Sequence, residues 1–224
     1  MNDAVRADFD RLALLPAPRW DHNQHYHSYL LRQVPSPCAQ ALDVGCGRGT
    51  FARLLAQRAG QVVGLDLSPS MIRVARARSK KYPNLRFEVA DVNDWPLPPE
   101  AYDCIVSIAT LHHLPLEKTL ARMGNALRPG GALLILDLYQ AAGVSDLLPG
   151  LAAMPASLGL RLLKTGRLRE PLAVRQAWAA HSVHDTYSTL SEIRRVCAGL
   201  LPGAEVKRHL FWRYSLVWRK IYAC

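Results

Sequence analysis

Short apolar runs alternate with helical patterns from Cys38 to about Tyr139, and this alternation restricts the fold more than any other feature of the chain. The apolar runs predict five strands, at residues 41–44, 61–65, 85–90, 102–108 and 132–138. The helical patterns between them cover residues 50–59, 68–81 and 116–127. Strands that alternate with helices form a parallel sheet covered by helices on both faces. The sequence therefore predicts an α/β fold.

Two segments lie outside this core. Residues 1–37 contain the polar and aromatic cluster Trp20–Tyr29 and are predicted to form an N-terminal helical cap. Residues 38–224 form the main domain, with a helical insertion at about 140–187 that is expected to act as a lid. A last helix and two strands, the strands antiparallel to each other, are predicted at residues 188–200, 205–211 and 214–220.

The composition is that of a soluble globular protein, because half of the 224 residues are hydrophobic and 21% are charged. No apolar stretch reaches the roughly 18 residues of a membrane span, and the first ten residues, with three aspartates, do not resemble a secretory signal. Five scattered cysteines without a CxxC pair argue against a disulfide framework and against zinc. We therefore expect a cytoplasmic protein.

The formal net charge of +10 has two interpretations. Basic residues are spread along the whole chain, which favours an ordinary solvated surface. A nucleic acid, an anionic membrane surface or an acidic ligand is the alternative.

A glycine loop separates the first predicted strand from the first helix of the core. Gly45, Gly47 and Gly49 allow a nucleotide to approach the backbone closely, and the helix N-terminus supplies unpaired N–H groups. The spacing is G-x-G-x-G, and Thr50 occupies the position where a dinucleotide fingerprint has its third glycine. This departure argues against a nicotinamide-dependent oxidoreductase.

Two acidic residues follow the next strands. Asp66 ends the second strand, where a carboxylate accepts hydrogen bonds from both ribose hydroxyls. Asp91 follows the third strand and can accept from an adenine amino group, with the N–H of Val92 facing the ring. These residues indicate a ligand that contains a nucleoside.

Five blocks of the chain resemble the class I S-adenosylmethionine-dependent methyltransferases, in the order and spacing of that family. They are LDVGCGRG (42–49), VVGLDLSPSMI (62–72), ADVNDWPL (90–97), YDCIVSIATLHHL (102–114) and LRPGGALLI (127–135). The resemblance covers about residues 38–140. It implies a Rossmann-like three-layer α/β/α fold with a seven-stranded sheet of order 3-2-1-4-5-7-6, in which only strand 7 is antiparallel. It also implies S-adenosyl-L-methionine as cofactor and S-adenosyl-L-homocysteine as product.

The resemblance implies a set of cofactor-binding residues. The glycines would line the methionine end, Asp66 would hold the ribose, and Asp91 with Val92 would contact the adenine edge. Met71 would lie against the adenine unless it belongs to the core. The full set is Asp43, Gly45, Cys46, Gly47, Gly49, Asp66, Leu67, Met71, Asp91, Val92, Ser107 and, from the N-terminal cap, Tyr26.

His112 and His113 are the candidate catalytic residues. They follow the fourth strand, at the edge where open α/β folds bind ligands, and histidine suits a base or hydrogen-bond partner at neutral pH. The TLHHL block is similar to quinone-type C-methyltransferases. In phosphoethanolamine methyltransferases, a histidine at the place of His113 works with a tyrosine of an N-terminal helix, which Tyr26 or Tyr29 would supply here. The alternative is that one histidine caps the next helix and the other packs.

Further residues are expected to contact the acceptor, namely Trp20, Tyr29, Tyr139, His184, Asp185, Tyr187 and Arg213. In this family an insertion after the fifth strand typically covers the acceptor pocket. The apolar segment 147–163 with its basic flank is thus a lid, a weak membrane-surface contact or a packed helical hairpin. No metal is predicted, because His22, His25 and His27 lack cysteine or carboxylate partners in a repeat.

The sequence thus predicts a methyltransferase acting on a small, hydrophobic or aromatic acceptor. An RNA or protein methyltransferase is an alternative favoured by charge, but the chain lacks an NPPY-like block and an appended RNA-binding domain. A non-catalytic cofactor-binding or membrane-surface protein on the same scaffold is the other alternative.

Overall fold

A seven-stranded sheet forms the centre of the protein. The computed structural model describes residues 2–142 and 147–222, with the side chains of residues 2, 147–152 and 184 outside the description. The strands are β1 (Gln40–Val44), β2 (Gln61–Asp66), β3 (Leu85–Val89), β4 (Tyr102–Ile108), β5 (Leu127–Leu138), β6 (Glu205–His209) and β7 (Arg213–Arg219). Their order is β3-β2-β1-β4-β5-β7-β6, and β7 is antiparallel to both neighbours. The predicted fold and strand order are confirmed.

Helices cover both faces of this sheet. They are α1 (Asn2–Leu14), α2 (His22–His25), α3 (His27–Leu31), α4 (Thr50–Leu55), α5 (Pro69–Arg78), α6 (Leu116–Ala126), α7 (Leu147–Thr165), α8 (Leu172–His181) and α9 (Leu190–Leu200). Local chemistry sets several of their ends. The hydroxyl of Ser68 accepts from Met71 N at 3.0 Å and starts α5, and Thr189 with Glu192 forms a capping box at α9.

The alternating side chains of the strands separate the core into two layers. Ala41, Val62 and Leu134 face the layer that contains α4, and Leu42, Val63 and Leu133 face the layer that contains α6 and α9. Both faces of a parallel sheet are buried in this way. Four cysteines, at positions 38, 46, 104 and 197, are buried and free. In the part of the chain described here, no helix has the length and apolarity to cross a membrane.

Two details differ from the sequence analysis. Helices α1, α2 and α3 lie in the predicted cap, where Tyr26, with φ −97° and ψ 0°, separates α2 from α3. Strand β5 begins at Leu127 instead of residue 132, since Leu127 already pairs with Tyr102 before a register shift.

Candidate active site

The glycine loop lies at the carboxyl end of β1 and has one open side. Gly47 N donates to Asp66 Oδ2 at 2.8 Å. A Cβ on Gly45 would lie 1.9 Å from Thr110 Oγ1, whereas one on Gly47 would meet nothing within 4 Å. Since all three glycines have positive φ, the loop keeps a shape that few other residues adopt. A ligand can therefore approach the backbone at Gly47.

Two buried polar atoms beside this loop have no protein partner. Asp43 Oδ2 at the end of β1 and Ser107 Oγ at the end of β4 make no hydrogen bond within the described residues. Burial, followed by the nearby negative charge of Asp66, raises the pKa of Asp43 to about 7. An unsatisfied buried group costs about 1–3 kcal/mol. A ligand with hydrogen-bond donors and positive charge would remove this cost, so these residues fit the methionine end of S-adenosylmethionine.

The residues expected at the nucleoside are already engaged with the backbone. Asp66 accepts from Ser68 N at 2.9 Å as well as from Gly47 N, and burial raises its pKa to about 6. Each carboxylate oxygen has a second lone pair, which leaves room for the ribose hydroxyls. Asp91 accepts from Asn93 N at 2.8 Å, and Leu67 is half-buried after β2.

Helix α1 of the predicted cap covers this region. Arg48 of the glycine loop donates through Nη2 to the carbonyl oxygens of Leu12 and Leu15 at 2.6 and 2.8 Å. Asp10 accepts from Ser68 Oγ at 2.6 Å. Met71 packs in a small apolar cluster with Leu12, so the structure places it in contact with α1.

Two other predicted cofactor residues have structural partners. Val92 is buried, and its carbonyl accepts from Arg122 Nη1 at 2.7 Å. Cys46 is also buried, and burial raises the pKa of its thiol well above the ordinary value, which fits an inert side chain.

His112 is fixed by a carboxylate at the end of β5. Its Nδ1 lies 2.6 Å from Asp137 Oδ1, and its backbone N donates to Asp137 Oδ2 at 3.0 Å. Both side chains are nearly inaccessible, at 6% and 1% exposed. Asp137 was not among the predicted site residues. Its side chain faces the turn Leu111–His113 only because β5 lies next to β4.

His113 stands next to His112 and keeps an unused ring nitrogen. The two ring centroids are 3.9 Å apart. His113 Nδ1 lies 3.6 Å from Asp185 Oδ1, and its Nε2 is buried without a hydrogen-bond partner among the residues that the structure describes. Burial, and then the neighbouring His112, lowers the pKa of His113 to about 4. The imidazole is therefore neutral near pH 7.

Asp185 is the centre of this cluster. His181 Nε2 lies 3.5 Å from Asp185 Oδ1, and the Tyr187 hydroxyl donates to Asp185 Oδ2 at 2.6 Å. Burial and the hydrogen bond to Asp185 raise the pKa of Tyr187. On its other side, His181 Nδ1 lies 3.2 Å from Asp8 Oδ2, so α1 also reaches this cluster.

The same residues form a possible metal-ligand set. One ligand atom each from His112, His113 and Asp185 lie within 4.8 Å of one another. The sequence analysis predicted no metal and did not anticipate this grouping, because Asp185 is remote in sequence from the two histidines.

Arg213 lies at the start of β7, where its main chain pairs with Leu138. Its Nε donates to Asn23 Oδ1 at 2.8 Å and its Nη1 to Phe211 O at 3.0 Å. Phe211 stacks on His22 with ring centroids 4.7 Å apart, and the buried Trp20 meets Phe211 edge-on. Trp20 thus supports the hairpin that carries Arg213.

Three aromatic residues predicted near the ligands have other neighbours. The hydroxyl of Tyr26 donates to Leu210 O at 2.9 Å, and that of Tyr29 lies 3.3 Å from Ser215 Oγ. Tyr139 is buried in the layer that contains α9. Their ligand contacts stay predictions, as does that of His184, whose side chain is outside the described part.

The fold and the chemistry of these residues are compatible with a transferase that uses a nucleoside-containing cofactor, and comparison with known proteins identifies the family. A family model described as "Methyltransferase domain" matches residues 41–131. An uncharacterised methyltransferase of Mycobacterium tuberculosis is 32% identical over 203 residues, which cover 89% of this chain and 96% of that protein. A trans-aconitate 2-methyltransferase of Variovorax paradoxus is 41% identical over 110 residues, covering 47% of this chain and 41% of the relative.

The solved structures show the same fold. An N-methyltransferase of Bradyrhizobium japonicum in complex with S-adenosyl-L-homocysteine has a TM-score of 0.66 at 18% identity, over 96% of this chain and 98% of that one. The chain belongs to the class I S-adenosylmethionine-dependent methyltransferases.

Proposed function

We propose that this methyltransferase acts on a small acceptor bound at the ends of β4 and β5, beside His113. The observation that carries the proposal is the juxtaposition of two half-sites. The loop open at Gly47, with the unsatisfied Asp43 and Ser107, suits the cofactor. The turn Leu111–His113, which carries the two histidines, begins three residues after the end of β4.

S-adenosylmethionine supplies an electrophilic methyl group on a sulfonium, and the chain supplies position and a proton acceptor. His113 Nε2 is the atom suited to take a proton from an acceptor O–H or N–H, because it is buried, unpartnered and neutral near pH 7. Asp185 faces the opposite ring nitrogen and would stabilise the resulting imidazolium. His112 acts as a positioning residue, since Asp137 already holds its Nδ1.

The surroundings of His113 support an acceptor with an aromatic or apolar body. Phe9 stands edge-on to His113 with ring centroids 6.0 Å apart, and Tyr187 lies 5.1 Å from the ring of His112. The small acceptor named for the Variovorax relative is in line with this size class. The cap and the insertion would exclude water, since α1 contacts Asp185 through Asp8 and His181.

Transfer of a labelled methyl group tests the proposal. We would incubate the protein with methyl-labelled S-adenosylmethionine and a cell extract, then separate small molecules, nucleic acid and protein. Label in the small-molecule fraction is expected, and Asp66→Ala, which weakens cofactor binding, serves as control. Label confined to nucleic acid or protein would instead support the alternative that the net charge of +10 favours.

The exposed face of α7 supports an additional membrane-surface contact. Met154, Leu158 and Leu162 are 45–59% exposed and four residues apart, so they form one stripe. Lys164 flanks it. Association with anionic liposomes should be lost when both leucines are changed to serine, while cofactor affinity stays the same. If the variant associates with the liposomes as strongly as the wild type does, α7 makes no membrane-surface contact.

A further inference from the structure

Arg213 carries a positive charge that no described carboxylate neutralises. The residue is half-buried, yet no Asp or Glu oxygen of the described chain lies within salt-bridge distance of its guanidinium. Its hydrogen-bond partners, Asn23 Oδ1 and Phe211 O, are both neutral. Withdrawing a cation from water is unfavourable unless it is paired. Burial accordingly lowers the pKa of Arg213.

The guanidinium keeps one edge available for a ligand. Of its five N–H groups, one on Nε and one on Nη1 are used by the protein. The second N–H of Nη1 and both N–H groups of Nη2 have no partner among the described residues. Parallel donors on Nη1 and Nη2 match the two oxygens of a carboxylate.

The position of this edge is held by a strained hairpin. Phe211 and Trp212 have φ values of +61° and +54°, a conformation that is unfavourable for a bulky residue. Phe211 is fully buried, and its carbonyl is one of the two groups that hold Arg213. A backbone conformation of this kind persists only where the surrounding packing holds it. The packing around Phe211 therefore also holds the guanidinium of Arg213 in place.

Arg213 lies on the strand next to Asp137, since its main chain pairs with Leu138. The negative charge of Asp137 acts on Arg213. Asp137 also binds His112, whose ring lies against that of His113. We propose that Arg213 binds a carboxylate carried by the methyl acceptor, through Nη1 and Nη2. This inference rests on the proposed function and adds the chemical class of the substrate.

A carboxylate fits better than a phosphate. The negative charges of Asp137 and Asp21 act on Arg213. Both would repel a dianionic phosphate more strongly than a singly charged carboxylate. The acceptor is thus an acid with an apolar or aromatic body, which adds a charged group to the hydrophobic or aromatic acceptor expected from the sequence.

Titration calorimetry on the protein loaded with S-adenosylhomocysteine tests this. The probes are benzoate, the neutral benzamide and phenyl phosphate, and the variants are Arg213→Met, Arg213→Lys and Arg219→Met. Arg219 lies at the opposite end of β7 and donates to Gln33 O, so its variant removes the same charge far from the site. We expect benzoate to bind at least tenfold more tightly than benzamide. Arg213→Met should bind benzoate about ten- to a hundredfold more weakly than the wild type. Arg213→Lys should show a smaller loss of affinity, and Arg219→Met should bind benzoate as the wild type does.

Several outcomes would overturn the assignment. Equal benzoate affinity in the wild type and Arg213→Met, or binding of phenyl phosphate in preference to benzoate, would do so. Weaker S-adenosylhomocysteine binding in Arg213→Met would instead assign the guanidinium to the methionine carboxylate of the cofactor. A wild-type protein that fails to bind S-adenosylhomocysteine but binds benzoate through Arg213 would refute the proposed function and leave the acid site in place.

Discussion

Replacing Asp43 with asparagine should stabilise the cofactor-free protein at alkaline pH, and the gain should disappear in acid. Asp43 is 1% exposed, and its pKa of about 7 compares with an ordinary value of 3.8. At ~1.36 kcal/mol per pKa unit, this difference corresponds to about 4 kcal/mol. We expect about 2–4 kcal/mol to be observed, because Asp43 and Asp66 influence each other.

The sign follows from linkage. The folded-state pKa lies above the unfolded value, so the wild type has its full stability below about pH 4 and loses it as the pH rises towards 7. Asparagine does not titrate. The buried amide nitrogen that Asp43→Asn introduces adds a penalty of its own, since Asp43 Oδ2 has no partner, but that penalty is independent of pH. The change with pH is therefore the quantity to compare.

Urea unfolding at pH 4.5 and pH 8 measures this change. The free energy of unfolding of Asp43→Asn minus that of the wild type should rise by about 2–4 kcal/mol between the two conditions. Asp103→Asn is the matched control. Although burial raises the pKa of Asp103, hydrogen bonds from Gln40 N and Arg128 outweigh it and hold that pKa below its ordinary value. Its effect on stability therefore changes only below about pH 4, and this variant should show little change between pH 4.5 and pH 8. A stability difference for Asp43→Asn that is the same at both pH values would refute the reasoning.

Three further predictions concern activity. Asp66→Ala should weaken S-adenosylmethionine binding by about 1.5–3 kcal/mol, because ribose hydroxyls would lose a charged acceptor; unchanged affinity in calorimetry would remove Asp66 from the site. His113→Ala should lower turnover more than cofactor affinity, and a wild-type rate across pH 6–9 would show that the histidine is structural. Incubation with a chelator should leave turnover unchanged, because proton transfer from the acceptor to His113 needs no metal; a loss of activity restored by one divalent ion would instead identify a metal held by His112, His113 and Asp185.

The fold could be predicted because its signals are local. Apolar runs give the strands, and glycines and helix-start residues such as Ser68 mark the turns between them. The edge on which the glycine loop and His113 lie follows from the parallel sheet alone. The bounds of α1 within the predicted cap did not follow from the sequence, although Val5, Leu12 and Ala13 on it are buried. What holds it is a set of contacts such as those of Arg48 and Asp10, which exist only in the folded chain.

The residues around His113 could likewise be predicted only in part. The sequence analysis placed His112, His113, Asp185 and Tyr187 among the candidate site residues. It did not predict which carboxylate lies next to which histidine. Those pairings depend on strand adjacency for Asp137 and on the path of the insertion for Asp185. Asp8 lies far along the chain from His181, its partner in the cluster, so no spacing rule could indicate it.

The hairpin at Phe211 has a consequence for how the protein can be divided. Its strained turn is covered by Trp20 and His22, and Leu30 of α3 is fully buried in the layer that contains Leu134 of β5. Residues 20–31 therefore contribute to the interior through Trp20, Tyr26 and Leu30. We expect a shortened protein that starts at Cys38 to lose this part of its core and to be less stable than the full chain.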